Sequence, residues 1–203
     1  MDKQSAWAYT SSISKQLIET KNMANIQISE PPVSKFLFAD TRFSWFWLLV
    51  RLYVGYEWFM AGWNKLGNPV WIGDKAGIAV KGFLTVALAK TAGAHPDVSG
   101  WYGSFIENFA MHHTVGFSYL VVYGEIAVGI ALILGLFTGI AAFFGTFMNL
   151  NYLFAGTVST NPILLLLQLF LILAWRTAGW IGLDRYVLPK LGTPWQPGNM
   201  FRK

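Results

Sequence analysis

Phe43 to Trp63, FSWFWLLVRLYVGYEWFMAGW, is apolar enough and long enough to cross a bilayer, which takes about 20 residues at the helical rise. It carries Arg51 near its middle and Glu57 six residues on. An ionisable side chain at the centre of a bilayer costs roughly 2.5–3.5 kcal/mol on insertion scales. Two in one span are expected to face a polar interior rather than lipid, so the segment reads as one helix of a bundle.

Three more apolar stretches follow. With the first, the spans are about 43–63, 117–137, 140–157 and 163–181. Thr138-Gly139 allows a tight reversal, and Gly156 to Pro162 is a turn by composition. The expectation is an all-α integral membrane protein, a four-transmembrane-helix bundle. The charged fraction of 12% supports it, against about 25% in an ordinary soluble chain. The chain has no cysteine, which excludes disulfides, thiolate metal sites and a persulfide intermediate on this chain. Its net charge of +5 comes from basic residues flanking the spans, and so speaks for orientation in a membrane rather than for nucleic acid.

Residues 1–42 read as a cytoplasmic N-terminal segment without the pattern of a signal peptide. Ser12 to Asn25 has the makings of a short surface helix, and Glu30-Pro31-Pro32 is expected to break any helix before the first span. Residues 43–189 form the membrane domain and 190–203 a C-terminal tail. The connection 68–114 has no stretch able to span. It reads as two amphipathic helices, 73–92 and 99–113, lying on the membrane or capping the bundle. The distribution of Lys and Arg places both termini in the cytoplasm and this connection outside. Trp63 and Lys65 make an interfacial finish to the first span, with Lys65 snorkelling.

At the helical rise, Arg51, Glu57, Glu125, Asn149 and Asn151 fall within roughly 10 Å of depth. Lys65, His112 and His113 sit at the outer mouth. Glu125 is the expected counter-ion of Arg51. Bland readings stand beside this: an Arg–Glu pair fixing helix packing, Asn149 and Asn151 as interhelical hydrogen bonds, Gly135, Gly139 and Gly145 allowing close helix approach. No P-loop, GxGxxG or HExxH occurs, and no metal site is expected. His95, His112 and His113 all lie outside the spans, which argues against intramembrane haem. A pocket of Arg, two carboxylates and amides suits a small anion with a proton-coupled partner. A quinone is one such partner; composition alone leaves transport equally open.

The ordered set Arg51, Gly62-Trp63-Asn64-Lys65-Leu66, Gly124-Glu125 and GIALILGLFTG (129–139) resembles the DoxX/DoxD superfamily of membrane proteins. MNLNYLFAGTVSTNP (148–162) and AGWIGLDRYVLP (178–189) look more particularly like DoxD, the membrane subunit of thiosulfate:quinone oxidoreductase. The resemblance implies a four-helix membrane protein, oxidation of two thiosulfates to tetrathionate, electrons passed to a quinone, and a DoxA-like second subunit. On that basis Arg51 and Lys65 would bind the anion, with His112 and His113 attracting it at the mouth. Glu125, then Glu57, would accept protons near the quinone, and Asn149 and Asn151 would hydrogen-bond substrate or quinone. Two alternatives remain: a non-catalytic DoxX-type subunit anchoring a redox partner, or a small-anion or proton-coupled transporter, which with four helices would require a homo-oligomer.

Overall fold

The computed structural model describes residues 30–192 and divides the chain into two compact units, 1–34 and 35–203. Of the first unit only residues 30–34 are described, so the expected helix at 12–25 lies outside the described residues, as does most of the C-terminal tail. All regular structure among the described residues is helical. The helices are α1 (Pro32–Ala39), α2 (Ser44–Leu66), α3 (Ile78–Ala89), α4 (Gly100–Asn108), α5 (Thr114–Leu134), α6 (Thr138–Phe154), α7 (Asn161–Leu173) and α8 (Asp184–Leu191).

Pro32 opens α1 instead of breaking it. A proline at the first helical position loses no hydrogen bond, because that N–H has no partner in any case. The Leu37 carbonyl accepts from Trp47 Nε1 at 2.7 Å, and Phe38 stacks on Trp47 and Phe170. The first connection is also more broken than its amphipathic pattern suggests. Gly73 and Gly77 take positive φ (112° and 91°), so α3 starts only at Ile78. The second amphipathic stretch is α4 followed by a separate 3-10 turn, Ala110–His113. The fourth apolar segment is helical only from Asn161 to Leu173, then continues through turns to α8.

α2, α5, α6 and α7 share one inverted pattern. Their outward faces expose Leu49, Leu52, Leu120, Ile130, Phe143, Phe144, Phe147, Leu166 and Leu169, while Arg51, Glu125, Thr146, Asn149 and Gln168 are buried. A helix in water would do the reverse. Among the described residues one helical stretch, Gly100–Leu134, is long and apolar enough by length and composition to cross a membrane. A core of Trp47, Val54, Trp58, Val128, Leu132, Ala142 and Leu171 ties the four helices together. A second cluster, with Val80, Leu84, Tyr102 and Ile106, joins α3 and α4 over Ala155 at the end of α6.

Candidate functional site: an ion pair at the end of a cavity

α2 and α5 approach closely because both carry glycine at the contact. A Cβ at Gly62 would come within 2.9 Å of the Ile126 nitrogen, and one at Gly129 within 2.5 Å of the Phe59 nitrogen. That proximity brings the end of α2 to the middle of α5. Lys65 Nζ donates to Glu125 Oε2 at 2.6 Å and to the Ala61 carbonyl at 3.2 Å, and stands 5.2 Å from the Trp71 ring centroid. Tyr152 on α6 donates its hydroxyl to the other carboxylate oxygen, Oε1, at 2.9 Å. Glu125 is 2% exposed with both oxygens paired, which is how a buried carboxylate is tolerated.

This triad closes the polar end of a cavity of about 520 Å³ between α3, α4, α5 and α6. The remaining wall is largely apolar and aromatic, with Trp71, Phe83, Leu84, Phe105, Phe117 and Met148. Leu120 and Phe147 also line it and are exposed on the apolar faces of α5 and α6, so the wall continues onto the outer surface of the bundle. Asn151, Tyr102, Thr157 and Asn161 add further polar groups, and Asn151 is tied to Tyr102. The Asn151 Oδ1 accepts from the Tyr102 hydroxyl at 3.1 Å and its Nδ2 donates to the Phe147 carbonyl at 2.8 Å. Burial pushes the Tyr102 phenol up to about 12, so it is a neutral donor throughout the ordinary pH range. A few convergent polar groups in an otherwise apolar concavity of this size are the usual make-up of a small-molecule site.

Arg51 is not part of it. Its Nη1 donates to the carbonyls of Leu132 (2.9 Å) and Ile133 (3.3 Å) in the last turn of α5, and its Nη2 to Ile181 O (2.7 Å). Asp184 does the opposite job one turn away. It accepts from the N–H groups of Phe137 (2.5 Å) and Thr138 (2.9 Å) at the start of α6. A cation thus meets the negative end of one helix and an anion the positive end of the next. Between them Gly135 (φ 65°) and Phe137 (φ 50°) make the reversal in left-handed conformation.

Several expectations are corrected by this arrangement. The counter-ion of Glu125 is Lys65, not Arg51, because the guanidinium is already spent on three carbonyls. Lys65 turns inward instead of snorkelling, drawn by the buried carboxylate. Asn149 pairs through its amide with Gln168 at 2.7 Å, beside the Trp58 indole N–H, and does not line the cavity. Glu57 is half-buried on α2, outside the cavity, with no hydrogen bond or ion pair among the described residues. His112 and His113 are exposed on the 3-10 turn and outside the cavity, with His113 Nδ1 2.8 Å from the Phe109 carbonyl. Of the eight expected site residues, Lys65, Glu125 and Asn151 are brought together. Tyr152, Tyr102 and Trp71 complete the site and were not anticipated; a tyrosine three positions from Asn149 in an apolar span was the available signal for the first. Among the described residues no group of three or more His, Asp or Glu side chains is placed to hold a metal.

No curated protein and no solved structure matches the chain. Residues 46–158, just over half of it, match the family model DoxX. The match takes in every cavity-lining residue except Asn161.

Proposed function

The chain belongs to the DoxX family of membrane proteins, and from that premise we propose that it is the quinone-binding membrane subunit of a thiosulfate:quinone oxidoreductase of the DoxD type. The observation that carries the reading is the cavity: an apolar, aromatic chamber that continues onto the outer face of the bundle and ends at Lys65, Glu125 and Tyr152. A lipid-soluble ligand with a small polar head matches it in size, polarity and route of entry. A quinone takes up two electrons together with two protons. Asn151 has an Nδ2 hydrogen left to donate to a quinone oxygen, and Glu125, held by Lys65 and Tyr152, is the carboxylate lining the cavity that exchanges protons.

The exposed apolar faces of α2, α5, α6 and α7 support four spans, and the distribution of Lys and Arg supports both termini in the cytoplasm with α3 and α4 outside. α2, with 23 residues, is about 34 Å long by the helical rise. α7, with 13, is about 20 Å long, and the turns from Ala174 to Ile181 complete its crossing. Two thiosulfates joined as tetrathionate release the two electrons, and a DoxA-like second subunit is the partner for that step.

The test is anaerobic reduction of decyl-ubiquinone by the purified chain, with thiosulfate as donor, alone and with the DoxA-like partner. Thiosulfate-dependent reduction that Glu125→Gln abolishes supports the reading. A folded complex of both subunits that reduces no quinone overturns it in favour of a non-catalytic anchor. Anion flux in liposomes without quinone overturns it in favour of transport.

A further inference from the structure

The cavity is electrically neutral, and one residue makes it so. Among the described residues Lys65 and Glu125 are the only charged side chains that line it, and they are paired at 2.6 Å. The Lys65 ammonium has three directions to donate in; Glu125 Oε2, the Ala61 carbonyl and the face of Trp71 take them. Two other cations are held by carbonyls: Arg51 by those of α5 and Ile181, Lys90 by that of Gly156 at 2.6 Å. A dianion entering the cavity would lie beside a buried carboxylate, and the one cation among the described lining residues is already paired with it. An uncharged oxygen faces no such repulsion and finds a donor in the second Nδ2 hydrogen of Asn151, whose first goes to the Phe147 carbonyl.

We infer that Glu125 sets the charge preference of the cavity: by holding the Lys65 ammonium it selects an uncharged ligand and excludes small dianions such as thiosulfate. This rests on the proposed reading of the cavity as a ligand site, and deepens it by separating the two substrates. The quinone belongs here; the sulfur anion is handled outside this cavity. It also turns Lys65 from an anion-binding residue into one that Glu125 keeps from binding anions.

The experiment is equilibrium binding to the full chain in detergent, with decyl-ubiquinone and thiosulfate as probes. It uses wild type, Glu125→Gln and the double variant Lys65→Gln/Glu125→Gln. Wild type is expected to bind decyl-ubiquinone, and thiosulfate in large excess not to displace it. Glu125→Gln, with Lys65 released, is expected to bind thiosulfate about tenfold or more tightly than wild type. The double variant, neutral again, is expected to lose that gain. Displacement of the quinone by thiosulfate from wild type would overturn the inference, as would a folded Glu125→Gln with no gain or a double variant that retains it. If Glu125→Gln does not fold, displacement of the quinone from wild type decides alone. Failure of wild type to bind the quinone, with the anion gain intact in Glu125→Gln, would remove the quinone reading and leave the charge rule standing.

Discussion

Lys65 Nζ and Glu125 Oε2 lie 2.6 Å apart although sixty positions separate them in the chain. The pair exists because α2 and α5 touch at Gly62 and Gly129, and it links the packing of the bundle to the chemistry of the cavity. Removing one partner of a buried pair leaves the other charge unmet, which typically costs about 3 kcal/mol or more; removing both is far milder. Thermal unfolding of Lys65→Met, Glu125→Gln and the double variant in one detergent is expected to give a double variant more stable than the sum of the single losses. Additive losses would mean that the two side chains do not interact.

The glycine contact is a separate point of failure. Gly129→Val places a branched side chain against the Phe59 backbone, and the two helices must part. Loss of both quinone binding and stability is the expected outcome. Gly116→Ala, where an added Cβ has open space around it, is the control, and it is expected to behave as wild type in both assays.

Arg51 and Asp184 are expected to matter for stability and not for ligand. Arg51→Lys gives up part of a three-carbonyl clasp, a loss of about 2 kcal/mol for hydrogen bonds from a charged donor. Asp184→Ala uncaps α6 and frees Phe137, which holds a left-handed φ, at a cost of about 1–2 kcal/mol. Decyl-ubiquinone binding per folded molecule is expected to be unchanged in both. A variant with wild-type stability and no binding would place Arg51 in the site after all.

Tyr102 contributes to the loss of stability at alkaline pH. Burial pushes its phenol up to about 12 in the folded chain, against the ordinary value of about 10 when unfolded. The folded state therefore has the higher pKa. Its stabilising share is full below about 10 and fades as pH rises toward 12. Unfolding midpoints between these pH values are expected to fall for wild type and to fall less for Tyr102→Phe. Equal slopes for the two would remove Tyr102 from the account.

The helical architecture was legible because long apolar segments punctuated by glycine and proline leave few alternatives. The spans at 43–63 and 117–137 differ from α2 and α5 by three residues or fewer at each end. What periodicity did not carry was the direction of individual side chains. Depth placed Arg51 and Glu125 in one layer, yet their partners were decided by azimuth and by what each meets first. Arg51 meets the unpaired carbonyls of a helix end, and Lys65 reaches down along the glycine contact. Asn149 and Asn151 show the same limit: two positions apart on a helix they point about 160° apart, so one met Gln168 and the other the cavity. Asp184 lay within the motif that suggested DoxD, but nothing local in the sequence pairs it with the start of a helix 46 positions earlier.

The central claim is that the cavity ending at Lys65, Glu125 and Tyr152 holds the quinone. Photo-crosslinking of the purified chain with an azido-ubiquinone, followed by peptide mapping, tests it most directly. Labels confined to 117–125 and 147–152, and suppressed by excess decyl-ubiquinone, are the predicted result. Labels in the separate apolar groove of about 350 Å³ lined by Phe137, Phe143, Trp175 and Leu188 would contradict the account, as would labelling that decyl-ubiquinone does not suppress.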